Sequence, residues 1–181
     1  MKLLPIVSLL AALGGGIALG VTLAPLPPAA AAQSAPAADP LALLEPLVGR
    51  EWAADMPGGK FTDTQRFDWM YGRKFVRNPH QVRDAAGKVV YEGETIYGYD
   101  AAAKQLRWWY FNATGGFLVG TVVEQPDGTL LFEGENHAAP GQTAKVRSSS
   151  RIEEEEWIST TWFWRDGEWK VEREMTFTAK E

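Results

Sequence analysis

The chain predicts an all-β fold: a single antiparallel up-and-down barrel of about ten strands, preceded by a signal peptide. Three observations predict it. Turn-forming clusters recur at short, even intervals, at Gly72, Ala85-Ala86-Gly87, Asp100 to Lys104, Gly115-Gly116, Pro126-Asp127-Gly128, Pro140-Gly141 and Asp166-Gly167. Between them lie β-rich segments of about 8–12 residues, the spacing of hairpin-linked strands. After Val48 no stretch carries a helical period.

The elements follow in chain order. Lys2 and the apolar run Leu3 to Ala24, broken by Pro25, Pro27 and Pro28 and ending in Ala30-Ala31-Ala32, read as a signal peptide over residues 1–32. Its length would also let it span a bilayer, so an uncleaved leader is the one route to membrane attachment. The expected location is therefore exported, periplasmic or secreted. Residues 33–42 are Ala/Pro-rich and read as a flexible linker, and residues 43–181 as the barrel domain. Leu41 to Val48 suits a short helical turn capping it. The strands are expected at 48–53, 61–71, 73–83, 88–99, 105–112, 117–125, 129–137, 142–152, 157–165 and 168–178. Closure into a barrel removes exposed edges, and an open sandwich is the alternative.

Alternation then assigns faces. In the last strand Trp169, Val171, Arg173, Met175 and Phe177 share one side, and Phe67, Trp69 and Tyr71 share one side of the second. Leu106 to Phe111 is apolar on both faces, with Trp108 and Tyr110 opposing Trp109 and Phe111. Two apolar faces call for an outer cover, such as a second subunit in a homodimer or the amino-terminal segment.

Composition narrows the function. With 18 Lys and Arg against 23 Asp and Glu the chain is acidic and has no basic run, which argues against nucleic acid as a partner. Cysteine is absent, which excludes disulfides, thiolate metal sites and thiol nucleophiles. Neither a phosphate-cradling glycine loop nor a nucleophile elbow occurs in the domain, and no cofactor is expected. Ser148-Ser149-Ser150 suits cross-strand hydrogen bonding. Glu133, Glu135 and His137 lie on one side of a strand, but an extended strand spreads them over about 13 Å, too far to hold one ion. A solvent-facing row is expected there, and no metal.

Arg173 stands out, because an inward guanidinium requires an anionic partner. That partner is either an acidic ligand or an internal carboxylate such as Glu133 or Glu135. Trp69, Trp108, Trp169, Tyr97 and Tyr110 are the aromatic residues expected to line a cavity with Arg173, unless they fill it.

Leu47-Val48-Gly49-Arg50-Glu51-Trp52 resembles the L-x-G-x-W opening of lipocalin-like (calycin) barrels. The stretches Phe67 to Val76, Ile96-Tyr97-Gly98-Tyr99-Asp100, Gly116 to Gly120, Arg147 to Glu156 and Glu174 to Lys180 are similar to the DUF1579 group of bacterial proteins. The resemblance covers residues 43–180. It implies a ten-stranded barrel related to fatty-acid-binding and nitrobindin-like folds, and it assigns no activity. By the same likeness, Arg173 resembles the inward arginine on the last strand of fatty-acid-binding barrels. Nitrobindin-like barrels hold haem through histidine, and this chain has two, His80 and His137. Neither carries a haem motif, and both are expected at the surface. The resulting expectation is an exported barrel that binds a small hydrophobic or amphipathic anionic ligand. The alternatives are an envelope interaction protein with a packed barrel, an enzyme using cavity carboxylates, and a haem barrel.

Overall fold

The computed structural model describes residues 39–138 and 141–180. The signal-peptide reading, and the linker reading up to residue 38, fall outside the described residues. A 3₁₀ helix, Ala42–Leu47, precedes eleven strand segments. They are β1 Glu51–Asp55, β2 Phe61–Arg66, β3 Asp68–Met70, β4 Phe75–Asp84, β5 Val89–Asp100, β6 Gln105–Asn112, β7 Phe117–Glu124, β8 Leu130–Ala138, β9 Gln142–Glu153, β10 Glu156–Arg165 and β11 Glu168–Lys180. Segments β2 and β3 are the two halves of one stave, interrupted at Phe67, and both pair with β4. Each strand pairs antiparallel with the next, and β11 returns to β1, which closes a ten-stranded up-and-down barrel.

One end of the barrel is plugged. Leu41, Leu44 and Leu47 are buried beside Trp52, whose indole N–H donates to the Leu47 carbonyl at 3.0 Å. That bond anchors the helix where the chain enters β1, and it occupies a donor that would be costly to bury alone. Above the plug, aromatic rings fill the section. Trp157 stacks on Phe177 at 4.3 Å and meets Phe67 edge-on at 5.2 Å, while Phe67 lies against Tyr97 at 6.2 Å. The aromatics thus crowd this end, and a cavity extends from them toward the other end.

The wall carries two local devices. Gly120 in β7 faces Gly134 in β8, and a Cβ on either would fall 2.0 or 2.2 Å from the partner strand's carbonyl oxygen. Only glycine permits that backbone approach. In β11, Arg173 pairs with Thr161 and Val171 with Trp162, so Glu172 is the extra residue of a β-bulge. The bulge reverses the alternation expected for the last strand. Val171 is 56% exposed, and Trp169 lies with Trp164 and Arg147 on the outer wall, at 5.4 and 4.5 Å. Only Arg173, Met175 and Phe177 keep the inward face.

The second stave also departs from a plain alternation. Tyr71 sits in the turn with φ of 49° and is 77% exposed, so it does not share the inner face of Phe67. On the outer wall Phe75 covers Gly98, with Trp109 beside it, and Phe111 and Phe117 stay exposed.

Candidate functional site

A cavity of about 680 Å³ occupies the barrel between the aromatic floor and the end away from the 3₁₀ helix. That volume falls within the range of about 300–1,000 Å³ usual for small-molecule sites. Its floor is Phe67, Tyr97, Trp108, Phe132 and Trp157, and Met56, Phe61, Val90 and Phe163 surround its upper part. Trp108 is fixed by its indole N–H, which donates to the Thr121 carbonyl at 3.2 Å. A second hollow of about 530 Å³ involves β2, β4 and β5, with Glu51, Glu92 and Glu94 in its lining. Three carboxylates make that hollow a poor place for an anion.

Arg173 is half-buried on the cavity wall. Among the described residues it forms no ion pair. Glu133 is bound to Arg147 at 2.5 Å, Glu135 approaches His137 at 3.7 Å, and Glu172 is held by Arg165 at 3.0 Å. The internal pairing with Glu133 or Glu135 therefore does not form. Both acids lie on the outer wall, because their neighbours Phe132 and Asn136 take the inner face. Glu133, Glu135 and His137 form the outward row that the strand period predicts, with both acids exposed and His137 half-buried, stacked on Phe117 at 4.6 Å.

The remaining aromatic positions separate. Tyr97, Trp108 and Tyr110 line the cavity, whereas Trp69 and Trp169 do not. Trp69 sits near the plug under the Arg73 guanidinium, 4.1 Å away, and Arg73 in turn bonds Glu45 of the 3₁₀ helix. Its role is to fasten the plug. Trp169 is displaced by the bulge described above.

His80 is the residue that sequence reasoning misplaced: it is only 8% exposed, because Val76, Asn78, His80 and Val82 alternate inward along β4. Its Nδ1 lies 3.0 Å from Oδ1 of Asp63, a fully buried carboxylate on β2, and Gln65 Nε2 donates to Oδ2 of the same carboxylate at 3.1 Å. Its Nε2 lies 2.9 Å from the Tyr110 hydroxyl, which is 2.7 Å from the Tyr91 hydroxyl. A four-member chain, Asp63–His80–Tyr110–Tyr91, thus runs from the wall to the cavity. Gly93 makes room for it, since a Cβ there would stand 2.5 Å from the Tyr110 oxygen.

An ionised carboxylate only accepts, so His80 carries its proton on Nδ1 toward Asp63. Burial, with the Tyr91 bond next, raises the Tyr110 phenol above its ordinary range, and the Arg173 charge pulls partly the other way. Tyr97 is raised by burial as well. Both phenols are consequently neutral donors near neutral pH. Ser148 and Ser150 have ordinary structural partners, Thr161 at 2.9 Å and the Trp157 indole N–H at 2.6 Å. Two signals in the sequence pointed to the chain: the inward polar pair Asn78 and His80 in an otherwise apolar alternation, and a glycine within β5.

No family model matches the chain, and no curated protein matches it. Among solved structures it is similar to the crystal structure of Rv2717c from M. tuberculosis, with a TM-score of 0.55 and 18% identity over 78% of this chain and 97% of that one. At that identity the likeness is one of fold: a closed antiparallel barrel that fits the lipocalin-like pattern.

Proposed function

We propose that this chain is an exported carrier that holds one small amphipathic anion in its barrel, apolar body toward Trp108 and Phe132 and acidic end on Arg173. The observation that carries the reading is Arg173 itself, a guanidinium on the wall of a 680 Å³ aromatic-floored cavity with no carboxylate partner among the described residues. A guanidinium so placed gains most from a planar anion that it can bind in bidentate fashion. The open cavity weighs against a solid barrel serving only as an envelope interaction module. Export rests on the apolar leader of residues 1–32, and placement in the DUF1579 group rests on the stretches named above. We assign no catalytic step.

The test is a fluorescence titration with 8-anilinonaphthalene-1-sulfonate, an aromatic anion, on wild type and Arg173→Met. One saturable site, weakened at least about tenfold by the substitution (about 1.4 kcal/mol), is expected. Equal affinity in a folded Arg173→Met variant would remove the clamp.

A further inference from the structure

The direction of the Asp63–His80–Tyr110–Tyr91 chain depends on one proton. With His80 neutral, Nδ1–H donates to Asp63, and Nε2 accepts from the Tyr110 hydroxyl. Tyr110 oxygen then accepts from Tyr91, so Tyr91 presents lone pairs to the cavity and repels an anion. With His80 protonated, Nε2–H donates to Tyr110 instead. The Tyr110 hydroxyl turns to Tyr91, and the Tyr91 O–H is released toward the cavity as a donor. The distances of 2.9 and 2.7 Å serve either direction without movement of the rings.

Charged and titratable groups approach the imidazole from several elements. The Asp63 carboxylate from β2 lies 3.0 Å from Nδ1. Arg173 from β11 shares the cavity lining with His80, and Glu51, Arg66, Glu92 and Glu94 share the second hollow with it. Tyr91 of β5 and Tyr110 of β6 bring their hydroxyls, Asn78 and Val82 are its inward neighbours on β4, and Tyr97 lies deeper on β5. Glu172, the remaining titratable group of the lining, is engaged by Arg165. An anion seated against Tyr91 requires the released O–H, and only the protonated His80 arrangement supplies it.

We infer that Tyr91, backed by Tyr110, His80 and Asp63, is a second anion-holding subsite of the cavity, at which an anionic head group binds together with one proton taken up by His80. The subsite deepens the carrier reading and depends on it for the ligand class. Its chemistry fits a carboxylate or sulfonate that accepts one phenolic hydrogen bond.

The experiment is calorimetric titration of the full chain with 8-anilinonaphthalene-1-sulfonate, whose sulfonate stays ionised throughout, in phosphate and in Tris at matched pH. The buffer dependence of the heat counts protons. At a pH where His80 is neutral in the free chain, about one proton per ligand is expected, with affinity falling by up to about tenfold per pH unit. His80→Gln keeps an amide in place of the ring and is expected to bind with no proton uptake and no pH slope. Tyr91→Phe loses the uptake while retaining the aromatic wall, and far-ultraviolet circular dichroism verifies the fold of both variants. Arg173-dependent binding with no proton exchanged overturns this subsite and leaves the carrier reading standing. Uptake that persists in folded His80→Gln overturns it too. Binding indifferent to Arg173 but with His80-dependent uptake supports the subsite and removes the clamp. Absence of saturable binding overturns both.

Discussion

Gly93 and Tyr110 show how a single missing atom shapes the site. The phenol reaches His80 only because β5 has no side chain beneath it, and a Cβ would overlap the ring at 2.5 to 2.7 Å. Gly93→Ala is therefore expected to push Tyr110 aside and cost about 1–3 kcal/mol, measured by urea unfolding. The tyrosines give a pH prediction at the same scale. Burial raises Tyr97 and Tyr110 in the folded state, so above about pH 10 the unfolded chain binds fewer protons than the native one. Their contribution to stability is complete below that pH and declines as pH rises further. Absorbance at alkaline pH is expected to show these two of the five tyrosines ionising only as the barrel unfolds. Their ionisation within a still-folded barrel would contradict the assignment.

Among the elements, the strands were largely legible and the exceptions have causes. Turn chemistry punctuates most hairpins, the Glu154-Glu155 turn between β9 and β10 being an exception, so the expected strand 105–112 coincides with β6, and all others but the first lie within two residues at each end. The helical turn also matches the plug. Where period-two reading failed, an irregularity intervened. The bulge at Glu172 moved Trp169 and Val171 outward, and the break at Phe67 with the positive-φ turn at Tyr71 ended the second stave early. A bulge adds one residue without altering composition, so alternation alone does not announce it.

Two expected outcomes belong to this scale. Leu44→Ala, at a site with no exposure, should cost about 2–5 kcal/mol and loosen the plug, as thermal unfolding would register. Gly120→Ala or Gly134→Ala meets backbone rather than a flexible side chain, so the strands must part. Hydrogen exchange is expected to quicken selectively at the β7–β8 pairing.

At the scale of the whole molecule, aromatic packing is divided between the two ends. Rings from β1, β10 and β11 close the section above the plug, while the farther half remains hollow. The sequence held both the filled and the open reading of its tryptophans, because composition does not tell which rings meet. Arg173 was legible from alternation, since it lies beyond the bulge and in phase with Met175 and Phe177. Its lack of an internal partner was not legible, because that depends on Glu133 and Glu135 facing outward. The buried His80 chain was the largest omission. It joins β2, β4, β5 and β6, and no local window contains Asp63, His80, Tyr91 and Tyr110 together.

The most direct test of the carrier account is a crystal structure of the chain with 8-anilinonaphthalene-1-sulfonate. The account predicts the rings within the cavity against Trp108 and Phe132, and the sulfonate within hydrogen-bonding distance of the Arg173 guanidinium. An empty barrel with the probe bound to the outer wall would contradict it.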